Sequence, residues 1–182
     1  GENGEKTFKV APPAPTVVEK TSAQLQLPEK FKGRYSRAFD YLNITRGIDR
    51  RILQDFMSST YKNTIFQDTR NNVVFVGLDK DDNARFACIR GTLSNVQFRG
   101  DCTGSDKRYA FNIPGNEAKD KVYVFESPID LLSHCTIANI VMKDNLAFKK
   151  HNRISLSGVS DVALEHYLNE NPQIKKIVFC LD

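Results

Sequence analysis

No apolar run in the 182 residues approaches the length of a membrane span, and no secretory leader pattern appears in them. Cysteine is scarce. The four thiols, Cys88, Cys102, Cys135 and Cys180, include no close pair, which excludes a zinc ribbon and fits reduced, mostly core cysteines in a cytoplasmic protein. Histidine is scarcer still: His134, His151 and His166 lack ligand-like spacing and are expected on the surface or on helices. No internal repeat is visible. Residues 1–26 are short of large apolar groups and periodicity and contain Pro12, Pro13 and Pro15, the composition of a disordered linker. Global disorder is excluded by a hydrophobic content of 40% against 26% charged.

Net charge is a mild +4, but it is unevenly spread. Residues 27–119 carry 16 Lys/Arg against 11 Asp/Glu, and residues 120–182 carry 7 against 8. A basic half before a slightly acidic half suits a polyanion held beside metal-binding carboxylates, although composition alone favours ordinary surface charge.

The first folded segment is an α+β pattern. Helices are expected at about 36–45, with Phe39 and Leu42 on one face, and at about 49–59, capped by Asp49 and burying Ile52, Leu53 and Phe56. From residue 61 the period becomes two. Val73 to Gly77 and Arg85 to Arg90 form a hairpin around the polar turn Asp79–Asn83, and Val96–Arg99 and Arg108–Phe111 are shorter strand candidates. From residue 121 strands at 121–125, 153–156 and 176–181 alternate with helices at 128–139 and 160–170, the pattern of a mostly parallel sheet. The chain is thus expected to be α/β, a small basic α+β subdomain over 27–119 followed by a mostly parallel sheet over 120–182. Its last residues, Cys180-Leu181-Asp182, sit at the tip of an apolar strand, as expected of a fragment of a longer domain.

The sharpest local signal is Val122–Phe125, Glu126, Ser127, Pro128 and Asp130. An apolar strand ends in a carboxylate, and a helix begins at once with a good N-cap, a proline in its first turn and an acid near its N-terminus. Open α/β sheets bind ligands at the carboxyl ends of their strands. If the strand ending at Asp182 lies beside the first, Glu126 and Asp182 share an edge and suit Mg2+ or Mn2+, with Asp130 one helical turn away. From that chemistry alone, ordinary strand-end and helix-capping roles are the favoured account of these acids.

Six short pieces in order resemble the catalytic core of bacterial DnaG-type primases, whose active site is a Toprim fold. Tyr41-Leu42, Arg46-Gly47-Ile48, Ile52 and Phe56 resemble its YL…RGI pattern. Val73–Val76, the Asp-rich turn and Phe86–Arg90 resemble its hairpin ending in arginine. Lys107-Arg108-Tyr109 with Asn112 resembles KYLNS, Val124–Asp130 resembles VEGYMD, and Ser155–Gly158 resembles the turn after the second Toprim strand. Val178–Asp182 resembles the strand that reaches the first aspartate of DxD. The sequence departs from the pattern at Ser127, where the family has Gly, and at Cys88 and Ile89, in place of two glycines. These departures are closer to Toprim proteins of plasmids and other mobile elements.

The resemblance implies an incomplete Toprim-like sheet and, for the full-length protein, Mg2+- or Mn2+-dependent nucleotidyl transfer on single-stranded DNA in replication. Nucleoside triphosphates and replication or mobilisation proteins would be its partners, with no membrane. Glu126, Asp130 and Asp182 would be catalytic, with Glu126 and Asp182 as metal ligands. Arg90, Lys107, Arg108, Tyr109 and Gly158 would contact nucleic acid or nucleotide. A non-catalytic nucleic-acid-binding module and a Toprim-type phosphodiesterase are the alternatives, and this fragment by itself is expected to be inactive.

Overall fold

A computed structural model describes residues 24–33, 36–58, 62–93, 98–156, 158 and 160–181. It is a mixed α+β structure with two four-stranded sheets. In the first, β1 (Ile65–Gln67), β2 (Val73–Leu78), β3 (Ala84–Arg90) and β4 (Arg99–Asp101) lie in chain order, each antiparallel to the next. The second contains β5 (Asn112–Ile113), β6 (Ala118–Phe125), β7 (His151–Ser155) and β8 (Lys176–Cys180), in the order β5-β7-β6-β8. Here β6 is parallel to both β7 and β8, and β5 is antiparallel to β7. The helices are α1 (Arg37–Asp40), α2 (Arg50–Phe56), α3 (Pro128–Met142) and α4 (Val162–Glu170).

Alternation of side chains explains how the layers stack. On β2, Val73 and Phe75 enter one apolar cluster, whereas Val74 and Val76 enter another with Phe66, Ala87 and Cys102. On β6, Val122 and Val124 pack with Ala163, Leu164 and Tyr167 of α4, while Phe125 joins Leu131, Leu132 and Cys135 of α3. The cluster holding Val73 and Phe75 is the same one that holds Phe125, and α1 and α2 add Ala38, Ile52, Leu53 and Phe56 to it. One core therefore joins the two sheets. β5, from the stretch expected to belong to the first segment, completes the edge of the second sheet.

Several local expectations change. The first helix holds four α residues and then widens into a π turn, Tyr41–Thr45, closed by Arg46 N–H donating to the Tyr41 carbonyl at 3.0 Å. The strand expected at Arg108–Phe111 is a 3-10 turn, Lys107–Tyr109, with β5 starting at Asn112. Asp106 causes this: its carboxylate accepts from the Arg108 N–H at 3.1 Å, capping a turn where alternation alone suggested extended chain. Of the candidate at Val96–Arg99 only Arg99 falls in β4, which runs on to Asp101; residues 94–97 lie outside the described residues, as do 1–23 of the expected linker. Leu25 already packs on the third cluster, and Gln26 N–H donates to the Thr103 carbonyl at 2.9 Å. The basic run 149–153 is tied into the fold: Lys149 pairs with Asp55 at 3.0 Å, Lys150 with Asp144 at 3.1 Å, and Arg153 is fully buried. His134 and His166 lie on helices α3 and α4 as expected, whereas His151 begins β7; His134 and His151 are partly buried around Arg153.

Candidate functional site

The second sheet makes its own crevice. The connection β6–α3–β7 moves one way across the sheet and β7–α4–β8 moves back. Crossovers of one hand can do this only with the two helices on opposite faces, where α3 and α4 are found. The chain therefore leaves the carboxyl ends of the neighbours β6 and β7 toward opposite faces. Such a switch point opens a crevice where open α/β sheets take ligands. Glu126 follows β6 on one side of it, and Gly158 follows β7 on the other.

Backbone bonds hold the crevice together. Leu156 N–H donates to the Phe125 carbonyl at 2.8 Å, and Gly158 N–H to the Glu126 carbonyl at 3.4 Å. Gly158 has φ of +122°, which a side chain would strain, although open space lies where its Cβ would be. Helix α3 begins as its sequence implies. Ser127 Oγ accepts from Asp130 N–H at 3.3 Å and donates to the Asp130 carboxylate at 2.5 Å, with Pro128 in the first turn. Asp130 thus faces the crevice while closing the helix cap.

The crevice widens into a cavity of about 640 Å3 against the first sheet. Glu126, Asp130 and Gly158 line one side. Cys88 and Arg90 of β3, Arg99 and Asp101 of β4, and Arg46 beyond the π turn line the rest. Among the described residues, none of Arg46, Arg90 and Arg99 forms an ion pair. Glu126 and Asp130, with Asp101 held by Lys107, thus face three guanidinium groups that make no ion pair among the described residues, an arrangement able to hold a phosphate-bearing ligand with a hard cation beside it.

The structure brings four of the expected residues together: Glu126, Asp130, Gly158 and Arg90. Lys107 stands one contact away, paired at 3.2 Å with Asp101 of the cavity wall. Arg108 and Tyr109 do not line the cavity. Arg108 is bound to Asp106 at 2.7 Å, a bond that holds the Asp106 carboxyl below its usual range. The Tyr109 ring meets His166 of α4 at 4.6 Å between centroids and carries Arg85 at 4.9 Å. Asp182 lies outside the described residues. The strand leading toward it pairs with β6 in register, Phe125 opposite Cys180, one residue short of Glu126.

The oxygen-only donors suit Mg2+ or Mn2+, yet among the described residues no group of three or more acids, histidines or cysteines is close enough to hold a metal. Sequence reasoning quoted Arg46 in a motif without giving it a role and assigned nothing to Arg99 or Asp101. For Arg46 the motif was signal enough. For Arg99, only the strand register brings it to the cavity.

A family model described as a protein of unknown function (DUF3991) matches residues 40–117. No curated protein matches the sequence. Among solved structures the chain is similar to the primase fragment of the bacteriophage T7 primase-helicase protein, with a TM-score of 0.50 and 15% identity. The match covers 90% of this chain and 63% of that one, so this chain spans less than two thirds of its structural neighbour. The fold is thus similar to that of a primase fragment.

Proposed function

We propose that this chain is the core of a primase-like nucleotidyl transferase acting on single-stranded DNA in the replication of a mobile element or plasmid. The observation that carries the reading is the meeting, within a primase-like fold, of Glu126 and Asp130 with Arg46, Arg90 and Arg99 around one cavity at the switch point of a parallel sheet. In this reading residues 27–119 supply the cationic wall and residues 120–182 the acidic one.

Glu126 and Asp182 would hold Mg2+ or Mn2+, which when bound supplies charge neutralisation at the phosphoryl group being transferred. The chain's own residues do the remaining work. The arginines bind and orient phosphate oxygens, Asp130 holds the first turn of α3 so that Glu126 stays at the cavity mouth, and Gly158 keeps the opposite loop clear of the ligand. Lys107, released from Asp101, would extend the cationic wall.

The test is primer synthesis on single-stranded DNA with nucleoside triphosphates and Mg2+, using the protein that contains this segment with its native flanking sequence. Labelled oligonucleotide products are expected, and Glu126→Ala should reduce them by at least 100-fold. Template degradation instead of synthesis would favour a phosphodiesterase. A second reading is a nucleic-acid-binding module without catalysis, for which the arginines of the cavity wall would suffice. It requires binding that Glu126→Ala leaves intact and no product under any metal.

A further inference from the structure

Arg90 and Arg99 are direct partners across antiparallel strands β3 and β4. Residues so paired share a face, with Cβ atoms about 5 Å apart, and like charges there repel. Folded proteins ordinarily relieve such a pair with a neighbouring carboxylate, but neither arginine has an ion pair among the described residues. Asp101, the acid nearest in sequence to Arg99, is taken by Lys107 at 3.2 Å. The strand pair is held in this register regardless. Gly91 N–H donates to the Phe98 carbonyl at 2.8 Å just beyond it, and Cys102 N–H donates to the Ala87 carbonyl at 2.8 Å on the other side. Both arginines line the same cavity as Glu126.

From this we infer that Arg90 and Arg99 form a two-arginine clamp for a single phosphate group, with Arg99 as a binding residue that no motif marks. Two guanidinium forks converging on one phosphate offer charge-assisted hydrogen bonds from both sides, and the phosphate removes the repulsion between them. The clamp rests on the reading of this cavity as a nucleic-acid and nucleotide site. Its phosphate belongs either to the DNA backbone or to a nucleoside triphosphate, and the two probes below separate these sources.

Fluorescence titrations of a short single-stranded oligodeoxynucleotide and of a labelled ATP analogue with Mg2+ would be run on wild type, Arg90→Gln, Arg99→Gln and the double variant. Each single variant should weaken one probe by about tenfold, the double variant little more than either alone because both side chains serve one phosphate. Loss in the oligonucleotide titration assigns the phosphate to the backbone, and loss in the ATP titration assigns it to the triphosphate. Unliganded Arg99→Gln should melt at or above the wild-type temperature, since it removes a like-charge pair; a purely structural arginine would lower it. Wild-type binding that Arg99→Gln leaves unchanged, or losses that multiply to about 100-fold in the double variant, would overturn the clamp and leave the proposed function standing. Failure of the wild type to bind either probe would overturn both.

Discussion

Arg153 carries a charge into the core, and among the described residues no carboxylate pairs with it. Its Nε donates to His134 Nδ1 at 3.0 Å and its Nη1 to the carbonyls of Phe148 and His151, while Nη2 has no partner among the described residues. The consequence is electrostatic. Burial, then the Arg153 and His151 charges, push His134 down to about 4 from an ordinary 6.5. Burial, then the charges of Lys121 and Arg153, lower His151 as well. A histidine with a depressed folded-state pKa binds protons more readily when unfolded. Stability should therefore be full above pH 6.5 and fall as pH drops toward about 4. Urea denaturation across that window should show the fall, and His134→Gln, which keeps an acceptor for Arg153, should flatten it. Gly77 matters for a steric reason: a Cβ there would lie 1.5 Å from the Tyr109 carbonyl oxygen. Gly77→Ala must separate β2 from the 3-10 turn, at an expected cost of about 3 kcal/mol in denaturant midpoint experiments.

At the scale of elements, the site depends on two helix starts and one widened turn. Ser127 caps α3 through the same hydroxyl that holds Asp130. Ser127→Ala should cost about 1 kcal/mol of stability, read by chemical denaturation, and should leave the Asp130 carboxylate free to turn away from the cavity. The π turn at Tyr41–Thr45 inserts one extra residue per turn, and Arg46 emerges from it onto the cavity wall. Such turns recur at functional sites because they re-aim side chains that a regular helix would direct elsewhere. Gln67 links the helix to the sheet: its Oε1 accepts from Ala38 N–H at 2.8 Å, tying β1 to α1.

For the whole molecule, the shared core sets the cavity's shape, because Phe75 and Phe125 belong to one cluster and thereby bring the first sheet against the second. The opposite rim of the second sheet is different. On edge strand β8 and just past it, Ile177, Phe179 and Leu181 are 42%, 59% and 46% exposed. An apolar edge without proline, bulge or inward charge is a template for pairing with other chains. Phe179→Thr should raise the concentration at which light scattering reports association, with little change in melting temperature; an unchanged threshold would remove the edge as the cause.

Much of the architecture was legible in the sequence because its signals are local. Period-two patterning marked β2 and β3, short apolar runs marked β6 and β8, and Ser127-Pro128 marked the start of α3 to the residue. The carboxylate at the end of β6 followed from that boundary. Asp106 was a cap hidden by alternation, so the turn at Lys107–Tyr109 was taken for a strand, and Tyr109 came to rest against His166 rather than in the cavity. What only the tertiary structure decided is which distant residues meet. The pairing of Arg90 with Arg99, the approach of Arg46 and the burial of Arg153 depend on strand register and on closure of a core drawn from residues 38 to 148. Those are set by the summed burial of many apolar side chains, and no short stretch of sequence carries that sum.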